Sequence, residues 1–164
     1  MNENILKVIK PLLGKKCCRI KVGSYKSLSL GFGEKTYHND PRLNDDYYGE
    51  WEAGCFYCAW RIMRGDNILY GADDSIEYLE KLNVDAIDMG KLISLEQLSN
   101  IDVRLKFDSG IVVDFFATIS DTDEYFHIFC PDHIYVELAA GGKWSIGGSN
   151  KPFNQSEDTD KNSV

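Results

Sequence analysis

Five cysteines, three histidines and a large excess of acids are the residues of this 164-residue chain best equipped for chemistry. Cys55 and Cys58 stand in a C-x-x-C spacing, which belongs to half a zinc knuckle or to a redox dithiol. A knuckle needs a tight turn between its cysteines and a second ligand pair, which His127, Cys130 and His133 are placed to offer. Phe56 and Tyr57 lie between the two thiols inside a strand-like run, however, and strand alternation sends the thiols to opposite faces. A redox C-x-x-C opens a helix, and this one does not. Cys130, His127, His133 and Asp132 contain the types of a nucleophile, a base and an orienting acid, but no elbow or helix N-terminus is at hand to activate the thiol. The carboxylate groups Asp45-Asp46, Asp73-Asp74 and Asp121 with Asp123 and Glu124 fall in loops or at a helix start. Hydrolytic chemistry would need one of them in an apolar setting. Neither G-x-G-x-x-G nor G-x-x-x-x-G-K-[ST] occurs, so no phosphate loop is read. No catalytic residue, metal or cofactor is expected, and the chain reads as a binder rather than an enzyme.

Charge narrows the partners. The net charge is -8 with a pI near 4.8, and it is unevenly placed. Residues 1–35 carry eight Lys and Arg against two acids, and the remainder carries ten against 24. Such a field repels nucleic acid and anionic membrane and steers basic proteins, although acidity also serves plain solubility. No apolar run approaches the roughly 20 residues of a bilayer span. The first 14 residues lack the apolar stretch and cleavage site of a signal peptide. An odd cysteine count in a chain able to build its own core argues for free, buried thiols and a reducing cytoplasm.

The elements that would position these groups follow from periodicity. Residues 2–13 put Ile5, Leu6, Ile9, Leu12 and Leu13 on one helical face, with Asn2 or Asn4 as cap, Gly14 as stop and Pro11 disturbing the last turn. Residues 17–22 and 27–32 read as strands about a short connector. Residues 33–50 lose periodicity and read as a long contact loop rich in tyrosines and acids. Residues 51–63 read as one long strand, with 67–71 after the turn at Gly65. A second helix is expected over 73–82, capped by Asp73 or Asp74, with Ile76, Leu79 and Leu82 on its buried face. Strands follow over 91–97, 102–108, 111–118, 125–129 and 133–138, with a short closing run at 144–146. From residue 149 the chain turns polar and is expected to be disordered.

The pattern repeats. Gly14-Lys15 before Leu28-Ser29-Leu30-Gly31-Phe32 is answered by Gly90-Lys91 before Val103-Arg104-Leu105-Lys106-Phe107, and residues 60–70 lie over 126–136 without a gap. The fold class expected is therefore α+β, mostly antiparallel β. Two pseudo-repeated helix-plus-meander halves, about 1–71 and 72–148, would form one domain.

Gly14-Lys15-Lys16, the run from Ser27 to Gly33, Gly49-Glu50-Trp51 through Ala59-Trp60-Arg61-Ile62, the Leu105–Gly110 hairpin and the closing Gly141-Gly142-Lys143-Trp144-Ser145-Ile146 resemble a diffuse family of small bacterial immunity proteins, including those of contact-dependent growth inhibition systems. The resemblance spans about residues 14–146 and implies an antitoxin-like role: stoichiometric binding and blocking of a cognate toxin domain, a basic nuclease among the options. It offers no catalytic residue. The partner-binding residues expected are the aromatic and acidic ones of two loops: Tyr37, Asp45, Asp46, Tyr47, Tyr48 and Glu50 in the first, and Asp121, Asp123 and Glu124 in the second. A regulatory or scaffold module is the alternative, and a small-molecule binder or small enzyme stands behind it. Oligomeric state is left open.

Overall fold

The computed structural model describes residues 1–39, 46–120 and 123–149; Asp45, Asp121 and the tail from residue 150 lie outside them. The architecture is two antiparallel sheets sharing one core, with little helix. The strands are β1 (Cys17–Val22), β2 (Leu28–Tyr37), β3 (Tyr47–Cys55), β4 (Cys58–Arg64), β5 (Asn67–Gly71), β6 (Leu92–Gln97), β7 (Val103–Phe107), β8 (Ile111–Ala117), β9 (Glu124–Phe129), β10 (Ile134–Ala139) and β11 (Trp144–Gly148). One sheet has the order β1-β2-β3-β9-β10-β11 and the other β5-β4-β8-β7-β6.

Alternation builds both sheets. Leu28, Leu30 and Phe32 of β2, and Val103, Leu105 and Phe107 of β7, all turn inward. Each such side chain contributes roughly 1.5–3 kcal/mol on burial. Phe32 and Phe107 stack across the core at 6.1 Å, and Phe115 meets Phe126 at 5.1 Å, so each contact joins one sheet to the other. Helix α1 (Glu3–Ile9) is capped by the Asn2 side chain, which accepts from the Ile5 N–H. Pro11 tightens its end into a 3-10 turn, Lys10–Leu12, and Ile5, Ile9 and Leu12 enter the core. At the β7–β8 hairpin Gly110 adopts φ +79°, the left-handed conformation such a tight turn demands.

Neither half of the chain makes its own sheet. β3 crosses from the first sheet into β4 of the second, and β8 crosses back into β9. Short backbone links then tie the sheets where β1 and β6 begin: Gly14 N–H donates to Leu92 O (2.7 Å), Leu92 N–H to Lys15 O (3.0 Å) and Cys17 N–H to Gly90 O (2.9 Å).

Four expectations are corrected. Residues 51–63 are not one strand; the chain breaks at Phe56 and Tyr57 as it changes sheet. Both pieces alternate, but the inward side chains pass from odd positions (Trp51, Ala53, Cys55) to even ones (Trp60, Ile62) across the break. Cys55 and Cys58 are not on opposite faces as free thiols but form a disulfide across that break, while Cys17, Cys18 and Cys130 stay free. Much of the loop expected over 33–50 is strand: Lys35 pairs with Gly49, Thr36 with Tyr48 and Tyr37 with Tyr47. The outer part of β2 is exposed along its length, so it carries no alternation to detect. The second helix shrinks to a single turn, α2 (Ile76–Leu79), capped by Ser75. Asp74 instead accepts from the Gly71 N–H (2.8 Å), and Ile76 faces solvent.

Candidate functional site

β1 is an edge strand, paired with β2 on one side only. Along its free side runs a cleft of about 1210 Å³, walled on the far side by α2 and the turn to Asp85 and closed at one end by Asp46 and Tyr47.

Several contacts fix its shape. The 23–26 turn holds Tyr25 and Lys26 at φ +54° and +57°, a conformation that persists in non-glycine residues only where surroundings impose it. Here Trp60 Nε1 donates to the Lys26 carbonyl (2.7 Å), and Lys26 Nζ donates to Asp74 O (2.8 Å), tying the turn to the start of the opposite wall. Tyr25 is left 89% exposed and Ile76 62% exposed, both on the cleft. Asn83 Oδ1 accepts from the N–H groups of Asp85 and Ala86, both at 2.9 Å, and so sets the bend that carries Asp85.

Behind β1 the outer face of the sheet is braced by a buried ion pair. Glu52 accepts from Arg19 Nη1 (2.9 Å), Ser29 Oγ (2.7 Å) and the Gly49 N–H (2.7 Å). The Arg19 guanidinium lies 5.4 Å from the Tyr48 ring centre. Gly31 makes room: a Cβ there would stand 2.6 Å from Glu52 Oε1 and 2.9 Å from Arg19 Cβ.

The walls are electrically unlike. Glu80 and Asp85 line the far wall, in a stretch (73–88) with six acids against Lys81 alone, whereas Arg19, Lys21 and Lys26 lie on the strand side.

Of the residues expected to bind a partner, Asp46 and Tyr47 line the cleft. Tyr37 packs on Tyr47 (5.7 Å), and Tyr47 Oη donates to Cys18 O (3.0 Å). Tyr48 is committed to Arg19. Glu50 pairs with Lys15 at 2.8 Å, and that hydrogen bond holds its carboxyl below the usual range. Glu124 turns inward, accepting from the Tyr135 hydroxyl and lying 3.1 Å from His127 Nδ1, close enough for an ion pair but not aligned as a hydrogen bond. Asp123 is exposed. The β3–β9 register, from Glu52↔Phe129 to Cys55↔Phe126, sets the two loops at opposite ends of β3, roughly 30 Å apart. Tyr25, Ile76, Glu80 and Asp85 are site residues that sequence pattern does not single out, although the density of acids over 73–88 was there to be read.

Around the remaining candidates, Cys130 is buried and its thiol is pushed up to about 12 by that burial, while Asp132 and His133 are exposed in a turn. Among the described residues no group of three or more His, Cys, Asp or Glu is gathered to hold a metal ion, and no helix is long and apolar enough to cross a membrane. The site thus belongs to a two-sheet antiparallel protein with a polar-walled cleft along an open sheet edge. Comparison with protein-family models, with curated proteins and with solved structures finds no match for the chain.

Proposed function

We propose that this protein is an immunity-type inhibitor that acts in the cytoplasm, binding a basic toxin domain one to one and blocking it without bond-making of its own. A nuclease is the toxin class that best fits the charge, since nucleases themselves attract phosphate backbones. The observation that carries the reading is the cleft wall that presents Glu80 and Asp85 beside exposed Tyr25 and Ile76, within a stretch, 73–88, that holds six carboxylates. Acids steer a basic partner into encounter, and rigid aromatic and aliphatic side chains supply the contact area that holds it. The test is co-expression with toxin domains encoded in the same genome, scored by growth rescue and one-to-one co-purification. A toxin domain bound with an association rate that falls steeply with salt is expected. A full screen without a bound toxin domain overturns the proposal.

We further propose that the two halves are copies of one ancestral helix-plus-strands unit. Raising every strand number by five turns β1-β2-β3 into β6-β7-β8 and β4-β5 into β9-β10, and both sets are neighbours in the observed sheets. The register shift between Cys17 and Arg19 recurs between Leu92 and Ser94, 75 residues on. An experimental structure in which these two irregularities fall out of step on superposing the halves would count against it.

A further inference from the structure

The geometry points to strand addition as the way the cleft is filled: we propose that an extended segment of a basic protein pairs its backbone with the free edge of β1 and lays Lys or Arg side chains against Glu80 and Asp85. The inference builds on the inhibitor reading above and names the binding mode at that same site.

Four observations carry it. The stretch Arg19–Lys26 lines the cleft without interruption, and among the described residues no strand continues the sheet beyond β1. An open edge is a row of backbone donors and acceptors, which natural proteins either blunt or use. The space fits: a strand fills about 160 Å³ per residue at its rise, spacing and layer depth, so 1210 Å³ admits roughly seven residues, enough to run past the four β1 residues that line the cleft, Arg19 to Val22. Tyr25 lines the cleft on the turn that the Trp60–Lys26 hydrogen bond holds, and Ile76 lines it from α2. Both are largely exposed and offer an incoming strand apolar contact area. The charges, finally, choose the occupant. Glu80 and Asp85 enter no ion pair among the described residues, so a cation brought between the walls meets carboxylates that are free to receive it.

The test uses the full chain, labelled with ¹⁵N, and a ten-residue peptide of alternating Val and Lys at up to millimolar concentration. Backbone amide shifts are expected over residues 19–22 and 76–85. The same peptide N-methylated at its four central residues, which blocks both of its edges, should bind at least tenfold more weakly, and so should a Val and Glu counterpart. Glu80→Lys with Asp85→Lys should weaken the Val and Lys peptide by about three- to tenfold, the scale of two rim charges. Equal binding by the N-methylated peptide, shifts confined to other surfaces, or sedimentation as a dimer with the β1 amides protected would each overturn strand addition. The two proposals fail separately. A toxin domain retained with the β1 amides unprotected defeats strand addition and leaves the inhibitor role standing. Peptide pairing at β1 with no toxin domain bound defeats the inhibitor role alone.

Discussion

Asp114 shows how one residue of this protein carries charge through a sheet face. It is fully buried, and Arg104 donates to both its oxygens at 2.6 and 2.9 Å while Arg61 adds a third bond at 2.9 Å. Burial alone would raise its carboxyl, but the arginine hydrogen bonds outweigh it and hold the group below its ordinary 3.8. The ion pairs therefore stabilise the fold fully above that ordinary value, and the contribution drains away as pH falls through the lowered one. Asp114→Asn is expected to cost about 2 kcal/mol at neutral pH. That is less than a wholly buried pair would lose, because Arg61 and Arg104 keep 38% and 25% exposure and solvent screens them. Denaturant titration at pH 7 and at pH 3 checks both parts: the gap between variant and parent should be full at the higher pH and visibly narrower at the lower, where pH has passed below 3.8 toward the lowered value. The arginines and the acid are plain in the sequence, but nothing there says that β4, β7 and β8 lie side by side.

At the scale of the element, the crossing from β3 to β4 is the sharpest local event. The chain leaves one sheet and enters the other within Phe56 and Tyr57, the Cys55–Cys58 bond spans the step, and the Phe56 ring folds back on His127 at 4.3 Å. Closing so small a ring removes about 2 kcal/mol of chain entropy from the unfolded state. Adding a thiol reductant should lower unfolding stability by about that amount with the far-ultraviolet spectrum unchanged; no shift in the denaturation midpoint would show the crossing to be held by packing alone. Alternation along residues 51–63 reports an inward and an outward face but not which sheet owns each residue. That is why the spacing Cys55-x-x-Cys58 reads as strand until the third dimension is known. The polar ribbon of outer β2 escapes detection for the opposite reason: it buries neither face.

For the whole molecule, exchange of strands between the two sheets has a thermodynamic consequence. β3 needs β9 and β4 needs β8, and the Phe32–Phe107 stack joins the halves through the core. Residues 1–71 expressed alone should therefore be unfolded by circular dichroism and amide dispersion, and the full chain should melt in one transition. Two separable transitions, or a folded first half, would contradict this. The same exchange leaves β1 at a sheet edge beside α2 and so creates the cleft.

By itself the sequence settled which side chains of its clearly alternating strands turn inward. The inward faces of β2 and β7, the Asn2 cap of α1 and the predominance of antiparallel strands follow from a period of two and from short-range hydrogen bonding, whereas β9 buries both faces and Ile76 stands exposed. It also shows the density of acids over 73–88, and Asp46 and Tyr47 of the expected contact loop line the cleft. Tertiary structure alone decided which strands are neighbours, and with that the disulfide, the inward turn of Glu124, the separation of the two loops and the open edge of β1. A side chain's polarity fixes whether it faces water or core; its partner across the sheet depends on where distant segments arrive, and local pattern does not encode that.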